Sequence, residues 1–214
     1  MTMHPAGYDA LLADAGAYED AGRLVLRVHG DRALAALHGL VTADLTSMTG
    51  DAAWPSLVLT PKGRVLADAV IVSCGGEVLL DVPRAAWSEL EPHFARYLPP
   101  RLARLEPSEL RVVRIRGPGA LGRERNDAAL ASLDGPVASE RDGSRWDAVA
   151  YRGGVATRPP ESLVLYLPPG ETLGFDIATV SDEAWEVWRI ERGIPLYGVD
   201  MSQENLPQET GLVV

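Results

Sequence analysis

Two segments of the chain read as the same strand. RLVLRVHG (Arg23–Gly30) and LRVVRIRG (Leu110–Gly117) align Val25 with Val112, Arg27 with Arg114 and Gly30 with Gly117. Each is a β-type run, and each passes through its glycine into a segment rich in alanine and leucine: DRALAALHGLVTADL after the first, GALGRERNDAALASL after the second. A strand-then-helix start that recurs once constrains the chain to mixed α and β structure in two units, the later one beginning near Leu110.

Between these starts the pattern is legible. Asp31 is the expected N-cap of a helix over DRALAALHGLVTADL, with Leu34, Leu37, Leu40 and Val41 apolar. WPSLVLTP reads as a strand, followed by a Pro61-Lys62-Gly63 turn. RVLADAVIVS and EVLLDVP flank Cys-Gly-Gly as a two-strand hairpin. PRAAWSELEPHFARYL predicts a helix that Pro92 kinks or restarts, and RLARLEPS supplies a short last strand. The order β-α-β-β-β-α-β resembles a ferredoxin-like unit with an added strand. The fold class read from this pattern is α+β, with a ferredoxin-like unit over 23–106 inserted in or packed on a discontinuous α/β unit formed by 1–22 and 107–214. In that discontinuous unit AVAYRG and SLVLYLPP are predicted strands.

The helix DEAWEVWRIERG is well signposted. Ser181 is its N-cap, Asp182 and Glu183 lie in its first turn and Arg189 and Arg192 in its last, and Gly193 and Pro195 end it. Trp185 and Trp188 share a face. They read either as core anchors or as a wall for a flat ligand.

Composition excludes several functions. Hydrophobic residues make up 46% and charged residues 23%, ordinary globular usage. The formal net charge of −10 argues against direct nucleic-acid binding. No apolar run approaches the roughly 20 residues of a membrane helix, and the acidic start lacks the pattern of a signal peptide, so a cytoplasmic protein is expected. Lys62 is the single lysine beside 19 arginines, a bias that a GC-rich genome explains. One cysteine, Cys74, excludes an internal disulfide and a cysteine-built metal site. His4, His29, His38 and His93 have no metal-ligand spacing, so no metal is expected.

No Gly-x-Gly-x-x-Gly, Walker, His-Glu-x-x-His or Gly-x-Ser-x-Gly signature is present. Three polar clusters stand out instead. In HGLVTADL, Thr42 and Asp44 read as caps of backbone groups or as part of a site. In TPKGRVLAD, Asp68 interrupts an apolar strand. It either faces solvent on the alternate face or is held for a polar ligand, because an unpaired buried carboxylate is costly. The third is the stretch RIERGIPLYGVDMSQENLPQE from Arg189 to Glu209, polar enough for a ligand rim or a solvated loop.

Together these clusters resemble the folate-binding YgfZ/GcvT family, which includes the glycine cleavage T-protein aminomethyltransferase and YgfZ-type proteins tied to iron–sulfur enzymes and tRNA modification. The family pattern falls on Gly39, Val41, Thr42 and Asp44; on Gly63 and Asp68; and on Arg189, Glu191, Gly193, Tyr197, Gly198, Asp200, Pro207 and Glu209. The likeness spans residues of about 23 to 212.

The resemblance implies the N-terminal fold of that family without its C-terminal barrel, and a tetrahydrofolate pocket between two α/β units. It implies folate-contacting roles for Trp185, Arg189, Glu191, Tyr197, Asp44, Gly63 and Arg64. Trp185 would stack on the ligand, Arg189 would pair with its carboxylate, and Arg23, Arg64 and Arg189 would gather at the mouth. Asp68 would accept pterin hydrogen bonds or act in catalysis. The implied function is a YgfZ-type protein supporting iron–sulfur enzyme assembly or repair, with iron–sulfur proteins as partners; the alternative is a tetrahydrofolate-dependent aminomethyl transferase. His38 stands where the family has Gln, Arg23 where some relatives have Trp, and AVAYRGGVATRPPE replaces the Tyr-Thr-Gly-Glu of T-proteins. The chain ends at Val214, ahead of the Lys-Gly-Cys-Tyr-x-Gly-Gln-Glu signature of YgfZ proteins.

Overall fold

The computed structural model describes residues 4–47, 50–122, 127, 130, 146–159 and 162–212. In chain order they form α1 (Tyr8–Ala13), β1 (Gly16–Glu19), β2 (Arg23–His29), α2 (Ala33–His38), β3 (Ala52–Leu59), β4 (Val65–Cys74), β5 (Glu77–Pro83) and α3 (Trp87–Tyr97). Then follow β6 (Arg104–Pro107), β7 (Arg111–Arg116), β8 (Trp146–Tyr151), β9 (Gly154–Arg158), β10 (Leu163–Leu167), β11 (Ala178–Thr179) and α4 (Asp182–Glu191). Two units result. The first takes the chain up to Ala21, the residues from Leu110, and Trp146–Ile194; the second takes Gly22–Glu109 and the residues from Pro195 on.

In the second unit the strands run β3-β4-β5-β2-β6, every pair antiparallel. β4 is buried along almost its whole length, as expected of an apolar run covered on both sides, and Asp68 is one of its two half-buried positions. Leu26, Leu57, Ile71 and Leu80 from the strands pack with Leu37 of α2 and Leu90 and Phe94 of α3. Each such side chain contributes roughly 1.5–3 kcal/mol by leaving water. Pro195–Val214 belongs to this unit, not to the one carrying α4 as the sequence reading had it. The reason is packing: Tyr197 and Met201 are buried in this core, and Val65 N–H donates to the Asn205 carbonyl at 3.0 Å.

The first unit has the strand order β11-β1-β7-β10-β9-β8, with β1 and β11 parallel and the other pairs antiparallel. Ile115, Leu163, Leu165, Leu167 and Tyr151 form its main core. A second cluster joins α1 to α4 through Tyr8, Leu11, Val180, Ala184, Trp185 and Trp188.

The strand and glycine that open each copy of the repeat read from sequence are present in the structure. The two strands are β2 and β7, one in each unit, and both end on a glycine of positive φ: 134° at Gly30 and 116° at Gly117. A Cβ at Gly30 would lie 2.3 Å from the Leu102 carbonyl, and one at Gly117 2.5 Å from the Asp14 carbonyl. Each glycine carbonyl then accepts at 3.0 Å from an alanine N–H three residues on, Ala33 or Ala120.

Two helix expectations need correction. The helix after Gly30 covers only Ala33–His38, and Arg32 rather than Asp31 precedes it, without a side-chain cap. It stops because Val41 bridges to Val58 and Thr42 N–H donates to the Leu57 carbonyl at 3.0 Å, so β-type pairing outcompetes a helix at these β-branched residues. Pro92 sits inside an unbroken α3. Of GALGRERNDAALASL, a 3₁₀ turn covers Ala120–Gly122, and most of the rest lies outside the described residues.

α4 matches its signals closely. Ser181 Oγ accepts from Ala184 N–H at 3.2 Å. Ile194 N–H bonds the Arg189 carbonyl and Gly193 N–H the Ile190 carbonyl, a Schellman closure. Ser181→Ala is expected to cost about 1 kcal/mol, the usual loss for an N-cap, read as a lower midpoint in thermal unfolding. An unchanged midpoint would mean the cap is redundant. Cys74 ends β4 as a buried residue, and burial first, with Asp51 second, pushes its thiol up to about 11. At pH 8 it is therefore expected to resist a disulfide reagent in the native protein and to react once unfolded; fast native labelling would contradict this burial.

Candidate functional site

The second unit gathers its charge on three adjacent strands. Arg23 opens β2, Asp81 lies on β5 opposite Val25, and Asp68 lies on β4. Arg23 Nε donates to Asp81 Oδ1 at 2.6 Å, Nη1 to Asp68 Oδ2 at 2.5 Å, and Nη2 to the Asp81 carbonyl at 3.1 Å. The side chains of Arg23 and Asp81 are 8% and 1% exposed, and that of Asp68 is 24% exposed. Burial opposes the guanidinium's charge, but Asp68 and Asp81 outweigh it and raise its pKa above the ordinary value. Asp68 is thus a carboxylate oriented by a cation. Its Oδ2 is engaged, its Oδ1 accepts no hydrogen bond from the described residues, and it keeps an open side.

The polar C-terminal stretch folds onto this unit. Tyr197 Oη donates to Glu89 Oε2 of α3 at 3.2 Å, and Gln203 Nε2 donates to the same oxygen. Burial first, with Glu89 and Asp68 adding to it, pushes the Tyr197 phenol up to about 12, so it stays a donor near neutrality. Arg64 donates to the Glu204 carbonyl. Asp200 accepts from Leu196 N–H at 2.9 Å and Glu209 from Leu206 N–H at 2.8 Å. Much of this carboxylate and carboxamide chemistry shapes the loop itself.

The first motif is placed by its hydroxyls. Thr42 Oγ1 accepts from Leu57 N–H at 2.9 Å, and Ser56 Oγ accepts from Ala43 N–H at 2.9 Å. Asp44 caps Thr46 through its N–H at 2.9 Å and its hydroxyl at 2.6 Å; these bonds lower its pKa, the side-chain bond most. In the structure it serves as a turn cap. Gly63 takes φ 73° in the turn that closes with its N–H on the Thr60 carbonyl at 2.9 Å. The first two motifs line one cavity of about 330 Å³, walled by Gly39, Leu40, Val41, Thr42, Leu59, Thr60 and Pro61, with His93 and Tyr97 of α3. His93 Nε2 is buried there without a hydrogen-bond partner, and burial lowers its pKa. A larger depression of about 840 Å³ on the same unit pairs Arg27 with Glu77 at its edge and shares only Leu45 with the motifs.

The remaining expected residues belong to the first unit, where each lies against protein groups. Trp185 is not an open stacking surface: Tyr18 lies against it with centroids 4.6 Å apart and planes 8° apart, and Trp188 lies at 5.3 Å. Arg189 is 3% exposed, donates twice to Glu186 at 2.6 and 2.5 Å, and reaches the Ile194 carbonyl at 3.1 Å, so it does not wait for a ligand carboxylate. Glu191 accepts from Tyr8. Arg23, Arg64 and Arg189 each serve a protein partner. Sequence reasoning missed Asp81, Glu89 and Gln203; only Gln203 lay within a motif already singled out. Among the described residues no His, Cys, Asp and Glu group could hold a metal, and no helix is long and apolar enough to cross a membrane.

Removing one partner of a buried pair leaves an uncompensated charge, which costs about 3–5 kcal/mol. Asp81→Asn is expected to lose stability on that scale in denaturant unfolding. Asp68→Asn, at the open side, is expected to lose much less. The reverse order would show that Asp68, not Asp81, anchors Arg23.

No family model matches the sequence. The chain is 25% identical over 217 residues to an aminomethyltransferase of Nitrosomonas europaea, an alignment covering 93% of this chain and 58% of the relative. It is 24% identical over 240 residues to an aminomethyltransferase of Saccharopolyspora erythraea, covering 99% and 61%. The chain thus spans less than two thirds of the length of the curated relatives it matches. The crystal structure of glycine cleavage system aminomethyltransferase T from Bartonella henselae superposes with a TM-score of 0.69 at 19% identity, over 94% of this chain and 57% of that one. The chain has the fold of that aminomethyltransferase over nearly its whole length.

Proposed function

We propose that the chain is a tetrahydrofolate-binding protein and that Asp68 is its ligand-orienting carboxylate. The observation that carries this reading is the geometry at Asp68: one oxygen fixed by buried Arg23, the other without a donor among the described residues, on a side chain that keeps partial exposure. Such a group suits the ring N–H and amino donors of a pterin, because a preoriented carboxylate forms charge-assisted hydrogen bonds without reorganising. The cavity lined by the first two motifs, with its unpartnered His93 nitrogen, offers a second polar feature on the same unit. The reading takes the second unit as ferredoxin-like: β4-β5-β2-β6 is the core order and β3 the added strand.

The pairing with Arg23 argues for binding rather than proton abstraction. A proton taken by Asp68 would leave Arg23 with one carboxylate in place of two. We therefore favour the YgfZ-type role, in which a folate-loaded cytoplasmic protein supports iron–sulfur enzymes and Asp68 orients the ligand. A second reading, transfer of an aminomethyl-derived one-carbon unit to tetrahydrofolate, is supported by the names of the curated relatives.

Calorimetric titration with 5-formyltetrahydrofolate is expected to show micromolar binding. Asp68→Asn is expected to weaken it by about tenfold or more, the loss of a hydrogen bond to a charged group, at roughly 1.4 kcal/mol per tenfold. Absence of heat in the wild type, or equal affinity in the variant, would overturn the assignment. Production of methylene-tetrahydrofolate and ammonia from an aminomethylated carrier protein would establish the second reading instead of the first.

A further inference from the structure

The first unit holds a cavity of about 560 Å³ lined by Leu11, Arg116, Gly117, Pro118, Leu121, Trp188, Arg192 and Ile194. Two of its walls carry donors that the protein leaves unused. Arg116, the last residue of β7, has its Nε buried without a hydrogen-bond partner, and no carboxylate pairs with it among the described residues. Burial first, and the like charge of Arg114 second, push its guanidinium below the usual range; Arg114 itself is paired with Asp20 at 2.6 Å. Trp188, in the second turn of α4, has its indole Nε1–H buried and equally unpartnered. Arg192 stands over the Trp188 ring at 5.6 Å, adding a second cation to the same cavity. No carboxylate lines this space among the described residues.

Buried donors without acceptors are rare because each forfeits its hydration, and a buried cation without a counter-charge is more costly still. Here a part-buried cation whose Nε is buried without an acceptor and one such N–H line the same space, whose volume falls in the range of small-molecule sites. The missing element is an acceptor carrying negative charge. A guanidinium fork matches the paired oxygens of a carboxylate or phosphate. Leu11, Pro118, Leu121, Ile194 and the Trp188 ring would sit against an apolar body. We infer that this cavity is a binding site for a small organic anion, its carboxylate or phosphate head held by Arg116, the Trp188 indole N–H and Arg192, and its apolar portion packed on the surrounding side chains. The site lies entirely in the first unit and does not rest on the folate reading.

The 214-residue chain is titrated with phenylacetate, phenyl phosphate, inorganic phosphate and, as a neutral control, benzyl alcohol, following heat and tryptophan fluorescence. Saturable binding of at least one anion is expected, more than tenfold tighter than benzyl alcohol. It is expected to weaken at least tenfold in Arg116→Gln and to weaken in Arg192→Gln, and to be unchanged in Asp68→Asn. Preference between phenylacetate and phenyl phosphate identifies the head group, and inorganic phosphate reports what the head alone contributes. Thermal unfolding supplies an independent reading. If Arg116 is held for a ligand, Arg116→Gln removes an uncompensated cation, so the ligand-free protein should keep or raise its midpoint while losing the rise that the anion gives the wild type. Binding of none of the three anions, equal binding by Arg116→Gln, or a lowered midpoint in that variant would overturn the proposal.

Discussion

A single buried cation organises the second unit. Arg23 enters from the start of β2 and is held between a carboxylate with almost no exposure, Asp81, and one at the sheet's open side, Asp68. The arrangement is asymmetric in its energetics. Asp81 compensates the buried charge and ties β2 to β5, while Asp68 is held in place by that same charge and keeps the unused oxygen. Stability and site are therefore drawn from one ion pair network, which explains how a carboxylate can sit in an apolar strand without being a defect.

The C-terminal stretch solves a related problem by different means. A loop dense in polar residues must satisfy itself if it is to lie on a core. Here Asp200, Asn205 and Glu209 accept from backbone N–H groups within the loop, while Tyr197 and Gln203 converge on Glu89. Tyr197 and Met201 then bury their apolar parts among α3 and the strands. The polarity that reads as a ligand rim in the sequence is largely the internal wiring of the loop.

How much of this was legible depended on whether the signal was local. The alternation of strands and helices, the hairpin around Cys74 and the ends of α4 follow from period, turn residues and capping chemistry, all of which act within a few positions. Asp68 was visible because a carboxylate interrupts an apolar run, but its partner lies 45 residues away on β2 and left no mark near it. The Tyr18 neighbour of Trp185 was not legible, because a tryptophan pair one turn apart looks the same whether it faces a ligand or Tyr18. The same holds at Arg189: a motif position carries no sign that Glu186 binds its guanidinium. The orphan donors of Arg116 and Trp188 were beyond reach, since lacking a partner is a property of the folded surroundings alone.

The assignment of Pro195–Val214 to the second unit has a consequence for how the chain acquires its structure. During synthesis, β2 to β6 emerge long before Tyr197 and Met201, and the intervening residues belong to the other unit. The second core therefore stays open on the ribosome until most of the first unit has been made, with Leu90, Phe94 and the apolar face of β4 short of their final cover. Contacts that close over so long a stretch of sequence form late and slowly. The nascent second unit is thus the part of the molecule that depends most on being kept from aggregation before the chain is finished.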